Sequence, residues 1–245
     1  MLEEIREFLQ NLEAHLVENY DNVRGEAGEE ESFRFCMLKL AVKCLSLLQI
    51  TSILLSKDYM AEAKAISRIF QETFTYLQHF ILYEGKNSKF EKWKQKPEKP
   101  LKERDEKLRE QIDNYWNAKF KDAVTENLWR KQFKFLSNSF VHPTFQCIKL
   151  SYIDAVWRHI EKLTSSENKR IDLEKSWKKL SDLETRTFCS QTLFYLMFFV
   201  DHVWKILELD KYGYEEEKLL NFITKLNNYI ETEVKNSAAD SFLEK

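Results

Sequence analysis

Apolar residues recur along most of this chain at intervals of three and four, the period of a helix face. Leu2, Ile5, Phe8, Leu9, Leu12 and Leu16 form one stripe, which predicts a first helix from about Leu2 to Tyr20. Gly25 and Gly28 mark the loop after it. A second helix is predicted from Glu29 to Leu55, with Glu29, Glu30 and Glu31 at the end where the backbone dipole favours negative charge. Ser56-Lys57-Asp58 is a short break with Asp58 as the expected N-cap. A third helix follows from Tyr59 to Tyr83 and is closed by Gly85. So short a connection folds the second and third helices into an antiparallel hairpin.

The period fades over 86–109. This stretch carries ten Lys/Arg and five Asp/Glu, a local net of +5, and it includes Pro97 and Pro100, which forbid an uninterrupted helix. It predicts an exposed linker near 86–100 and a solvated helix from Leu101 to Phe120. Phe90, Trp93 and Trp116 interleave aromatic with basic residues. That suits a docking strip for phosphate or an acidic partner as well as a plain charged connection. Helices resume from Thr125 to Ser137 and from Pro143 to Leu163. Pro143 suits a first helical position and pushes His142 out of helical geometry. Ser181-Asp182-Leu183-Glu184 has the pattern of a capping box opening a long helix that ends near Gly213. Within it, Phe188 to Val200 is apolar on nearly every face, which makes this the expected central helix. A last amphipathic helix is predicted from Tyr214 to Val234, with the final ten residues loose.

Composition narrows the fold class. With 4 Gly and 3 Pro in 245 residues, the chain lacks the turn formers that β-rich and dinucleotide-binding folds need. The expectation is an all-α fold. It is a multi-helix bundle of antiparallel long helices around a central apolar helix, in a single domain over residues 1–245. Hydrophobic residues make up 43% of the chain, with 18 Phe, 10 Tyr and 6 Trp, enough to fill a sizeable core. Charged residues make up 32%, with a net of −2, which argues against nucleic-acid binding driven by global charge. The run Phe188 to Val200 is 13 residues long, short of the roughly 20 that span a bilayer. The acidic start Met1-Leu2-Glu3-Glu4 is unlike a secretory signal. No membrane association and a cytoplasmic location are therefore expected. Cys36, Cys44, Cys147 and Cys189 lie far apart with no CxxC pair, so they are expected as buried, reduced thiols, with no metal and no cofactor.

One polar constellation stands out. Ala61, Ala65, Arg68, Glu72 and Tyr76 share a face of the third helix. The alanines allow a neighbouring helix close, so Arg68 and Glu72, four apart, are expected to be partly buried and paired. As a buried pair, Arg68→Ala would strand Glu72 at a cost of about 3 kcal/mol. The break Ser137-Asn138-Ser139-Phe140-Val141-His142-Pro143 adds hydroxyl, amide and imidazole groups. The candidate polar site is thus Arg68, Glu72, Ser137 and His142. Arg68 could hold an anion there, and His142 could act as an acid or base. Equally, an ion pair and ordinary cap residues explain the same pattern. His79, His159 and His202 carry weaker signals, and Asp201-His202 reads as part of the core helix. No GxSxG, P-loop, HExxH or ExxH arrangement is present, so no residue is assigned a catalytic role.

Residues Ala63 to Glu72 resemble the "alanine, Arg, three residues, Glu" helix of a bacterial family of unknown function, number 5677 among such domains. Phe135 to Pro143 resembles that family's "Leu-Ser, three residues, Val-His-Pro" segment. The resemblance covers about residues 35 to 165 and implies Arg68, Glu72, Ser137 and His142 as the family-like polar positions, with no activity attached. A remoter resemblance is to HEPN-type helical domains, many of them RNA-cutting toxins or defence proteins. Their Arg, four to six residues, His signature has no counterpart here, which argues against that RNase mechanism. Two functions remain open. One is a non-catalytic interaction or regulatory module that binds a protein partner or itself. The other is a nucleic-acid- or nucleotide-directed protein of the phage-defence or toxin type, acting through Arg68 and the basic 86–109 strip.

Overall fold

The computed structural model describes residues 1–24, 33–82, 112, 114–116, 118–119, 153–157, 159 and 167–243. Helix α1 spans Leu2–Glu18 and α2 spans Tyr20–Arg24. Helix α3 spans Phe33–Ser56, α4 Met60–Leu82 and α5 Glu167–Phe198. A π turn, Phe199–Val203, leads into the short α6, Trp204–Leu207, and a 3-10 turn, Leu209–Tyr212. Helix α7 closes the chain over Glu216–Leu243. The described residues contain no strand, so the protein is all-α.

The predicted stripe of α1 is the one it buries: Ile5, Leu9, Leu12 and Leu16 are fully enclosed. They pack on α3, which runs antiparallel. Ser52 at the far end of α3 donates to the Leu2 carbonyl (3.0 Å), and Glu13 accepts from Ser46 and from Gln49. The first helix stops two residues short of the prediction because Asn19 turns its backbone out of the helix and α2 starts anew. Helices α3 and α4 form the expected antiparallel hairpin. Helix α7 lies along α1 in the opposite direction, with Phe222 stacked on Phe8 (3.9 Å) and Lys225 paired with Glu4 (3.0 Å).

Two helices form the centre rather than one. The second half of α5, from Phe188 to Phe198, is almost wholly buried, as its all-round apolar pattern demands. Helix α3 shares that position and touches α1, α2, α4, α5, the π turn and α6. By length and composition α3 is apolar enough to cross a membrane, yet half of its most apolar window is buried in the bundle. Tyr195 ties the two central helices together by donating to the Ala41 carbonyl across 2.9 Å.

Three local expectations are corrected. Ser181 to Glu184 does not open a helix: it lies inside α5, which begins at Glu167. No glycine or proline interrupts residues 167 to 180, so the helix propagates through the capping pattern. Asp58 does not hold the N-cap position, since α4 begins at Met60; it takes the left-handed conformation at φ 59°, and the buried Asp154 accepts from the Ala61 N–H (2.9 Å). The last helix does not stop at Val234, since α7 continues to Leu243. The end of the α5–α6 run agrees better. Gly213 has φ +73°, the left-handed geometry that glycine adopts without strain. The proposed linker near 86–100 lies outside the described residues.

Candidate functional site

Helix α4 buries a face rotated from the alanine face picked out by sequence. Its enclosed positions include Ala61, Lys64, Ser67, Gln71, Phe74 and Gln78. Arg68 and Glu72 flank that face. They pair as predicted, Arg68 Nη2 to Glu72 Oε1 at 2.8 Å, but unequally: the Arg68 side chain is 13% exposed and that of Glu72 39%. The pair is partly buried, with the Glu72 carboxylate reaching solvent. Ser137 and His142 lie outside the described residues, as does the 86–109 strip apart from its surroundings at 112–119. The proposed meeting of Arg68 with His142 therefore concerns residues beyond this description.

The buried ion pair stands one turn earlier. Lys64 Nζ lies 2.7 Å from Glu184 Oε1 of α5, with side chains 9% and 10% exposed. Around it Thr51 of α3, Ser67 of α4 and Thr187 of α5 line a small niche. The Thr51 hydroxyl is spent on the Leu47 carbonyl (2.9 Å) and that of Thr187 on the Leu183 carbonyl (2.9 Å). Asp154 adds a carboxylate against the first turn of α4, where the unpaired amide N–H groups and the dipole favour negative charge. The niche thus holds one cation, one carboxylate and hydroxyls on three helices, with the two charges matched to each other.

A second polar group surrounds the π turn. Asp201 Oδ2 accepts from the Tyr115 hydroxyl and from Lys119 Nζ, each at 2.6 Å. Burial alone would raise the Asp201 pKa. The hydrogen bonds from Lys119 and Tyr115 outweigh it and hold the carboxyl below its ordinary value. Tyr115 is pushed well up, first by burial and then by that bond. His202 stacks against Phe198 (4.7 Å) and Tyr115 (5.1 Å). Burial pulls its pKa down, while the neighbouring Asp201 opposes. A π turn widens the helix by one residue, and such turns gather at functional positions. Here it brings Asp201 and His202 to the segment at 115–119.

Sequence reasoning missed Lys64, Glu184 and Asp154 as partners, and it treated Asp201-His202 as plain core. The available signal was the spacing: Lys64 sits three and seven residues before Ser67 and Gln71, on the stripe that also carries Phe74. At the other end of the bundle, Arg34 donates to the Leu207 carbonyl (2.6 Å) and pairs with Glu208 (3.1 Å), closing the left-handed turn after α6. No family model, no curated protein and no solved structure matches the chain.

Proposed function

We propose that the protein is a non-catalytic helical module that acts through a protein partner. The observation that carries this reading is where the cations of the described polar groups go. Lys64 is committed to Glu184, Arg68 to Glu72, Arg34 to Glu208 and Lys119 to Asp201. A phosphate-binding or acid–base site keeps a cation or an imidazole available to the ligand. In the niche the charges instead meet each other.

The outward strip of α3 supports the interaction half of the reading. Lys39, Lys43, Ser46, Ile50, Ile53 and Lys57 follow one another at spacings of four and three. Ile50 and Ile53 are 42% and 41% exposed, between lysines on either side. Charge and shape fit a partner helix whose acidic residues flank an apolar stripe. The resemblance to the family numbered 5677 and to HEPN domains stands beside this reading as the alternative, in which Arg68 engages phosphate. A screen of the full chain against single-stranded RNA, duplex RNA and nucleoside triphosphates separates the two. We expect no turnover. Cleavage or hydrolysis that Arg68→Ala abolishes in a folded protein would overturn the proposal.

A further inference from the structure

Polar side chains repeat along the buried line where α4 meets α5. On α4 the enclosed positions run Lys64, Ser67, Gln71, Phe74 and Gln78. On α5 and the π turn the matching line is Glu184, Phe188, Gln191, Tyr195, Phe198 and His202, again at spacings of three and four. The two helices run parallel. Lys64 meets Glu184 at one end, and further along Phe74 lies against Tyr195 (5.5 Å) and Phe198 (5.6 Å). Polar and aromatic layers therefore alternate down one seam.

The polar layers inside it are not satisfied. Gln71, Gln78 and Gln191 are 4%, 0% and 5% exposed. Among the described residues neither amide atom of Gln78 or of Gln191 finds a hydrogen-bond partner, and neither does Gln71 Oε1 or His202 Nε2. Each of these groups gives up bulk water on folding and gains no protein partner among the described residues, which opposes closure of the seam. The α1–α3 seam is built differently. Its core positions on α1 are apolar, and its polar groups are bonded: Glu13, Ser46 and Gln49 at the margin and the buried Ser52. One end of the α4–α5 seam carries a charged clasp, Lys64–Glu184. At the other end the π turn, a place where a helix bends readily, is held through Asp201 to Tyr115 and Lys119, not to α4.

We infer that the α4–α5 seam is the part of this fold that opens, with the Lys64–Glu184 clasp holding it shut at one end and the π turn as its hinge at the other. Opening returns the glutamine amides to water and uncovers Phe74, Tyr195 and Phe198 as a fresh aromatic surface. The inference stands on the seam alone and does not depend on the non-catalytic reading. Native-state hydrogen exchange of the full chain, resolved by residue, tests it. Amides over 71–81 and 191–203 should exchange at least about ten-fold faster than those over 41–48 in α3, at denaturant levels far below unfolding. Gln78→Met and Gln191→Met, which keep the side-chain length, should each slow the seam's exchange about ten-fold, and Glu184→Gln should speed it. Seam amides as protected as those of α3, methionine variants that leave the rates unchanged, or a neutral Glu184→Gln would each overturn the inference. Should a methionine variant fail to fold, the wild-type comparison and Glu184→Gln still decide.

Discussion

Removing Lys64 should cost this protein more than removing any other single charge described. In Lys64→Met the Glu184 carboxylate, 10% exposed, loses the ammonium 2.7 Å away and stays enclosed between α4 and α5. Breaking one partner of such a pair costs about 3–5 kcal/mol, because the survivor is an uncompensated buried charge. Glu184→Leu should cost a similar amount for the mirror reason. In Lys64→Met/Glu184→Leu neither charge remains to be desolvated, and apolar replacements of similar volume leave stability about unchanged or improve it. The two single losses therefore should not add: with about 3 kcal/mol or more lost in each and about none in the double variant, the coupling energy should reach about 6 kcal/mol. Urea titration of the four proteins followed by circular dichroism measures this, with equal slopes required so that midpoints report stability alone. In a chain of this size the single variants should melt about 6–20 °C lower. Single losses under about 1 kcal/mol, or losses that simply sum in the double variant, would refute the claim that the pair is buried and mutually dependent.

Arg68→Ala should cost only about 1 kcal/mol, at least 2 kcal/mol less than Lys64→Met, because Glu72 is 39% exposed and water takes over its solvation; paired denaturation curves check the ranking. Stability should fall on acidification from about pH 7 to 5.5, since burial lowers the pKa of both His202 and His15. A base whose folded pKa is depressed takes up protons first in the unfolded chain, so its contribution is complete above the unfolded value near 6.5 and is lost below it. His202→Phe should flatten that slope, whereas the depressed Asp201 acts only below about pH 4, a separate window. Cys44 is fully buried, and burial pushes Cys189 up to about 12, so neither thiol should react with a disulfide reagent in the native protein while both react in denaturant.

The stripes that bury apolar side chains were legible because they depend on local spacing: Ile5, Leu9, Leu12 and Leu16 name their own face, and Phe188 to Phe199 announces a helix enclosed on all sides. What the sequence hides is which partner a polar residue meets. Glu184 fits a capping box by its local pattern, yet its carboxylate belongs to Lys64, 120 positions earlier. Asp58 stands where a cap is expected, yet the carboxylate that accepts from the Ala61 N–H is that of Asp154, 93 residues away. On α4 the alanines drew attention to Arg68 and Glu72, but the large aromatics Phe70 and Phe74 set the buried face and carry Lys64, Gln71 and Gln78 inward with them. Propensity and period decide where helices lie. The pairing of polar groups across them is a tertiary matter.

The most direct test of the view that the niche serves the fold and not chemistry uses the folded Lys64→Met/Glu184→Leu protein beside wild type. Both are titrated with nucleoside triphosphates and with single-stranded and duplex RNA, and binding and turnover are followed together. The two proteins should behave alike, with no turnover in either. Micromolar binding or cleavage by wild type that disappears in the equally stable double variant would contradict it.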